Sequence, residues 1–275
     1  MRTWKTGPVT GPALFATLDG YTVEGGFDGL TGPTTCYAPS IALGRLAGPA
    51  ANGLYGEYEA VLDAAAELGL AGVRLSVEWT RVEPRRGEVD QSALARYGAV
   101  VEHARDLGLS VTIVLIDAVW PLWTGLEAWL LPWVAPMAIA HGRRVARALT
   151  GADGIIIAPH AADLVNAGFL AGTGPPFRRG ATLDAASAKA ALAGIVSTLA
   201  EDDAISTRLS SSWRELRLDA APGEVASVVA SGVGEVHLRS LVAGTGPTAV
   251  TTGLLERRDG AWTHSEASAL LGLLR

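Results

Sequence analysis

The chain has 275 residues, 49% hydrophobic and 18% charged, which is enough for one large domain over residues 1–275 with a well-filled core. A net charge of −6 argues against the basic stripe of a nucleic-acid binder, and the lone Cys36 excludes an intramolecular disulfide or a cysteine metal cluster. The opening MRTWKTGPVTGPALFATLDGY is broken by Gly and Pro and does not read as a signal peptide. No stretch approaches the roughly 20 apolar residues of a membrane span, so a soluble, cytoplasmic protein is expected.

The first strand is expected over Ala13–Leu18, ending at Asp19 and Gly20. Residues Thr22–Gly53, rich in Gly, Pro, Thr and Ala, read as a long loop. From about Gly56 to Leu68, Tyr58, Val61, Leu62, Ala65 and Leu68 recur at helical spacing. A strand over Gly72–Val77 then delivers Glu78, Trp79 and Arg81 at its far end. Asp90 can cap the next helix, in which Leu94, Tyr97, Val101, Ala104 and Leu107 share a face. The run SVTIVLI (Ser110–Ile116), apolar on both faces, reads as a buried parallel strand ending at Asp117. Trp120–Trp133 holds four of the eight tryptophans and leads into a helix ending near Leu149. GIIIAP (Gly154–Pro159) ends beside His160 and Asp163, and an Ala-rich helix follows over Asp184–Leu199. Weaker strand candidates are Thr207–Ser211, Arg214–Leu218, Glu235–Leu241 and Thr248–Thr252, with a last helix from about Ser265.

Strand–helix alternation through the first 200 residues requires a parallel sheet, and right-handed crossovers favour an α/β barrel, (β/α)8, shortened or irregular in its second half. A doubly wound open sheet is the alternative, but no Gly-rich dinucleotide fingerprint accompanies it.

The stretch LGLAGVRLSVEWTRVEP (Leu68–Pro84), through Arg74, Ser76, Trp79, Arg81 and Pro84, resembles the second strand of glycoside hydrolase family 1, the β-glucosidase type of barrel. Tyr21-Thr22-Val23-Glu24-Gly25 resembles that family's Y-Q-I-E-G, with Thr22 at the sugar-binding glutamine. VLIDAVWP resembles T-L-Y-H-W-D-L-P, with Asp117 at the sugar-binding histidine, and EAWLLP resembles G-G-W-x-N-P. AGFLAGTGPP resembles G-Y-x-x-G-x-H-A-P-G and places His160 at the acid/base glutamate. PTAVTTG, similar to P-L-Y-I-T-E-N-G, places Thr252 at the nucleophile.

The resemblance therefore implies the scaffold of a retaining glycosidase without its two catalytic carboxylates. Such enzymes need a pair about 5–5.5 Å apart. Histidine can exchange protons near neutral pH but cannot form the glycosyl ester, and a threonine hydroxyl needs an adjacent base to attack. Active sites of barrels lie at the C-terminal strand ends. There the sequence offers Asp117, His160 and Glu78 as working groups, and Thr22, Glu24, Arg74, Trp120, Asp163, His237 and Thr252 as substrate contacts. His103, His141, His160, His237 and His264 lack metal-ligand spacing, so no metal is expected, nor any cofactor. Three functions compete: acid–base chemistry (elimination, cyclisation or isomerisation) on a sugar-like or other small molecule, glycoside hydrolysis with the carboxylates relocated to Asp117, Glu78 or Glu24, and non-catalytic sugar or ligand binding. Each takes a small-molecule partner, without nucleic acid or membrane.

Overall fold

The computed structural model of the chain describes residues 13–27, 33–45, 54–210, 213–217, 235–239, 244–245, 250–251, 255–258 and 261–264. Six strands build the main sheet: β1 (Ala13–Leu18), β2 (Gly72–Ser76), β3 (Ser110–Val114), β4 (Gly154–Ile156), β5 (Trp213–Arg217) and β6 (Glu235–Arg239). Their order is β4-β3-β2-β1-β6-β5, and every pairing is parallel. Strands that follow one another lie side by side, and the last two join β1 on its free flank. That order belongs to a sheet curling back on itself.

The curl brings its two edges toward each other. Ile155 on β4 donates to the Arg208 carbonyl at 2.7 Å, and Ser210 donates back to the Ile155 carbonyl at 2.9 Å. The same run of chain continues into β5, on the opposite edge of the sheet. Among the described residues of the expected strand Thr207–Ser211, the pairing is this bridge at Leu209. Eight strands are expected from the sequence pattern; among the described residues the parallel sheet has six.

One face of the sheet is apolar. Leu14, Ala16 and Leu18 of β1, Val73 and Leu75 of β2, and Val111 and Ile113 of β3 join the helices in one core. The helix Tyr58–Glu67 brings Tyr58, Val61, Leu62 and Ala65 into it. Asp90 caps the helix Gln91–Asp106 by accepting from the Ser92 and Ala93 N–H groups at 2.8 and 3.1 Å. Leu107, assigned to that helix's buried face by spacing, is instead the C-cap residue and is exposed, because the last turn runs past the sheet. The helices Val134–Ala148 and Thr182–Ala200 complete the layer. Thr182–Ala200 is long and apolar enough to cross a membrane by length and composition, contrary to the sequence expectation, yet it packs Ala185, Ala188, Leu192, Ile195 and Leu199 into the core.

The other face is polar and crowded. In register across it run Thr17, Arg74, Thr112 and Gly154, and below them Phe15, His237 and Glu215. Gly72 has to be glycine: a Cβ there would stand 2.3 Å from the Ser110 carbonyl oxygen and 2.5 Å from the Phe15 ring.

Two parts differ from the sequence pattern. The expected loop Thr22–Gly53 contains short helical turns at Gly20–Val23 and Ala38–Ala42. The described part of the last expected strand, Val250–Thr251, pairs antiparallel with Gly244–Thr245 and not with the main sheet. A further antiparallel hairpin joins Leu255–Arg258 to Ala261–His264. The helix expected from Ser265, and Thr252, lie outside the described residues.

Candidate active site

The C-terminal ends of β2, β3 and β4 aim Ser76, Asp117 and His160 at one another. The Ser76 hydroxyl donates to Asp117 Oδ2, and the Ala118 N–H donates to Oδ1 at 2.8 Å, so both carboxylate oxygens are held. His160 is the residue before the short helix Ala161–Val165, with only 12% of its side chain exposed. Its Nε2 lies 3.9 Å from Asp117 Oδ1, 3.9 Å from Glu215 Oε2 and 3.5 Å from Arg74 Nη2. Its Nδ1 lies 3.8 Å from Asp163 Oδ2. Arg74 Nη2 is within hydrogen-bond reach of Nε2, whereas the three carboxylate gaps exceed hydrogen-bond length and leave room for a hydroxyl or water between.

Arg74 is buried on the sheet's polar face. Its Nη2 donates to Glu215 Oε1 at 3.0 Å, and the guanidinium carbon lies 5.6 Å from the centre of the Trp213 ring. Nε and Nη1 have no hydrogen-bond partner among the described residues, which leaves charged donors facing the interior. Glu215 was not singled out by the sequence reasoning. Its signal was available: in Trp213-Arg214-Glu215-Leu216-Arg217 the alternating pattern puts Trp213, Glu215 and Arg217 on one face.

Glu78 and Glu24 sit deeper. Glu78 Oε1 accepts from the Tyr21 N–H at 3.0 Å, and the Glu78 N–H donates to the Tyr97 hydroxyl oxygen at 3.3 Å. Burial pushes the Glu78 carboxyl well above the usual range; the charges of Glu24, Asp19 and Asp117 push the same way, while Arg81 opposes them. Glu24 accepts from Tyr58 Oη at 2.6 Å, from Tyr97 Oη at 2.8 Å and from Arg81 Nε. Its carboxylate is thereby taken up by internal donors. Arg81 is in turn held over the rings of Phe27 and Tyr55, at 4.3 and 4.1 Å.

The remaining candidates divide. Trp120 is buried, donates through Nε1 to the Gly125 carbonyl at 2.9 Å, and stands edge-on to Trp129. With Tyr37, His160, Asp163, Leu164 and Pro175 it lines a cavity of about 130 Å³. His237 is fully buried between the rings of Phe15 and Trp213, lies 2.9 Å from Glu235, and is in register with Glu215 of the cluster. Thr22 is placed only as backbone in the turn Gly20–Val23; its side chain, like Thr252, falls outside the described part. Among the described residues no group of His, Cys, Asp and Glu is arranged to hold a metal ion.

The proton on Glu78 gives a stability test. The unfolded carboxyl ionises near pH 4.3, whereas the folded one holds its proton to higher pH. Stability from this group is fully present below the unfolded value and is lost as pH rises toward the folded one. Glu78→Gln, which copies the neutral acid, is expected to raise the urea midpoint at pH 8 relative to the parent, with the difference closing near pH 4. Parallel pH profiles for the two proteins would contradict a protonated Glu78.

No family model and no curated protein matches the sequence. Solved structures match the fold. A β-glycosidase from Pyrococcus horikoshii superposes with a TM-score of 0.65 at 18% identity, over 79% of this chain and 51% of that one. A family 1 β-glucosidase from Thermotoga maritima gives 0.63 at 17% identity, over 76% and 48%. The virulence factor SghA from Agrobacterium tumefaciens gives 0.71 at 14% identity, over 96% of both chains. The chain spans about half the length of the first two and nearly all of the third. Its curled parallel sheet with surrounding helices thus has the fold of family 1 β-glycosidases, in a shortened form.

Proposed function

We propose that the protein is an enzyme on a shortened (β/α)8-type scaffold, performing acid–base chemistry (elimination, cyclisation or isomerisation) on a sugar-like small molecule. The observation that supports this most is the position of His160 Nε2, within 3.9 Å of both Asp117 and Glu215 and 3.5 Å from Arg74. Strand ends of this kind carry the active sites of barrel enzymes. His160 transfers the proton, since an imidazole held within reach of a reacting group can both accept and donate one. Asp117, fixed by Ser76 and the Ala118 N–H, stabilises the imidazolium. Glu78, whose carboxyl burial pushes well above the usual range, is the further candidate acid following β2.

One observation favours a second reading, hydrolysis by relocated carboxylates. Asp117 and Glu215 both approach the same imidazole nitrogen, so they are closer together than the roughly 9.5 Å upper limit for carboxylates of inverting glycosidases.

A panel of nitrophenyl glycosides and free sugars, followed by absorbance and by proton NMR, separates the readings. The expected outcome is a changed sugar skeleton without chromophore release, reduced at least tenfold by Asp117→Asn. Chromophore release that depends on Asp117 and Glu215 would establish hydrolysis. Saturable binding with no product from any compound would make the protein a ligand-binding module.

A further inference from the structure

The guanidinium of Arg74 distinguishes the two nitrogens of His160. Arg74 Nη2 lies 3.0 Å from Glu215 Oε1 and 3.5 Å from His160 Nε2, so its hydrogens are shared between a carboxylate oxygen and an imidazole nitrogen. A guanidinium donates only and keeps its charge, whereas a neutral imidazole carries one N–H and one lone pair. A hydrogen bond between the two therefore requires the lone pair at Nε2 and leaves the ring's proton on Nδ1. The Nδ1 side agrees: Asp163 Oδ2, an acceptor, lies 3.8 Å away, a span that one water can bridge.

Two carboxylates on the Nε2 side pull the other way, since each would accept a proton held there. Both stand farther off than Arg74, at 3.9 Å, which is beyond hydrogen-bond length. Both also have donors of their own. The Ala118 N–H donates to Asp117 Oδ1 at 2.8 Å, and Arg74 donates to Glu215. Of these three contacts with Nε2, the one with Arg74 is the one within reach.

From this division of donors and acceptors we infer that Arg74 is a positioning residue, holding neutral His160 as the Nδ1–H tautomer and so making Nε2 the basic nitrogen. A substrate O–H or C–H placed between Nε2 and the strand-end carboxylates gives its proton to Nε2. The N–H bond forms there, and the electron pair stays on the substrate, where the charge of Arg74 stabilises it. The Arg74 hydrogen gives way at Nε2 while its bond to Glu215 remains, and the new imidazolium N–H faces Asp117 and Glu215. This rests on the acid–base reading above and names its base.

Long-range proton–nitrogen NMR of the whole, isotope-labelled protein reads the tautomer directly. At an alkaline pH chosen to keep the ring neutral, the His160 signals, identified by their loss in His160→Ala, are expected to show hydrogen on Nδ1 and a bare Nε2. Arg74→Met removes the donor. It is expected to shift the ring toward the Nε2–H form that free histidine prefers in water, and to lower kcat at least about tenfold with KM little changed. Hydrogen on Nε2 in the parent protein overturns the assignment, whether or not the methionine variant folds. An Nδ1–H ring that survives in folded Arg74→Met, or a tautomer shift that leaves kcat unchanged, overturns the positioning role. In each of these cases, turnover that depends on His160 leaves the acid–base reading standing. An Nδ1–H ring with no turnover anywhere in the glycoside and sugar panel overturns the acid–base reading and, with it, the use of Nε2 as a base.

Discussion

His160→Ala is expected to lower kcat/KM by about 10²–10⁴-fold, the usual contribution of a positioned proton-transfer group. The loss of stability should be modest, about 1 kcal/mol, because the mostly buried ring makes no carboxylate hydrogen bond of normal length and gives up only a long contact with Arg74 Nη2 at 3.5 Å. Imidazole added to the alanine variant should restore part of the rate, because the held carboxylate of Asp117 remains to orient it. A variant that keeps more than half of the parent activity would remove His160 from the chemistry. The reaction would then belong to the carboxylates Asp117 and Glu215.

Glu24→Ala is expected to cost about 3–5 kcal/mol, the range for leaving a buried partner charge uncompensated. The loss would strand the Arg81 guanidinium, whose side chain is only 10% exposed, together with the hydroxyls of Tyr58 and Tyr97. Tyr97 also accepts from the Glu78 N–H, so the damage should reach the end of β2. Urea unfolding measures it. A cost below about 1 kcal/mol, the scale of an exposed ion pair, would show that the Glu24 cluster adds little to the fold.

The part of the fold legible in the sequence is the part whose two sheet faces are chemically simple. SVTIVLI and GIIIAP are continuous apolar runs because both sides of β3 and β4 are covered, and the helical stripe from Tyr58 to Ala65 has one face in the core. Asp117 and His160 stand out because each follows such a run directly. β5 and β6 were harder because their inward positions are Trp213, Glu215, Glu235 and His237. A strand whose buried side carries charge loses the hydrophobic alternation by which strands are recognised. Glu215 was passed over for that reason. The hairpin strands Leu255–Arg258 and Ala261–His264 flank a local sequence signal, Asp259-Gly260, the dipeptide favoured between paired strands, in a stretch to which the sequence pattern assigns no element. The roles inferred for Thr22 and Thr252 came from the family resemblance alone.

The position of β1 has a consequence for how the chain is made. Its residues bond to β2 on one side and to β6 on the other, with Ala13 opposite Glu235. β1 therefore waits for a partner about 220 residues downstream, and until β6 is made that edge lacks the strand it pairs with. Such long-range pairing slows folding and exposes a template for pairing between chains. The half-built sheet, β1 to β4 with their helices, is thus the state with an unpaired strand edge, and pairing with β6 covers it.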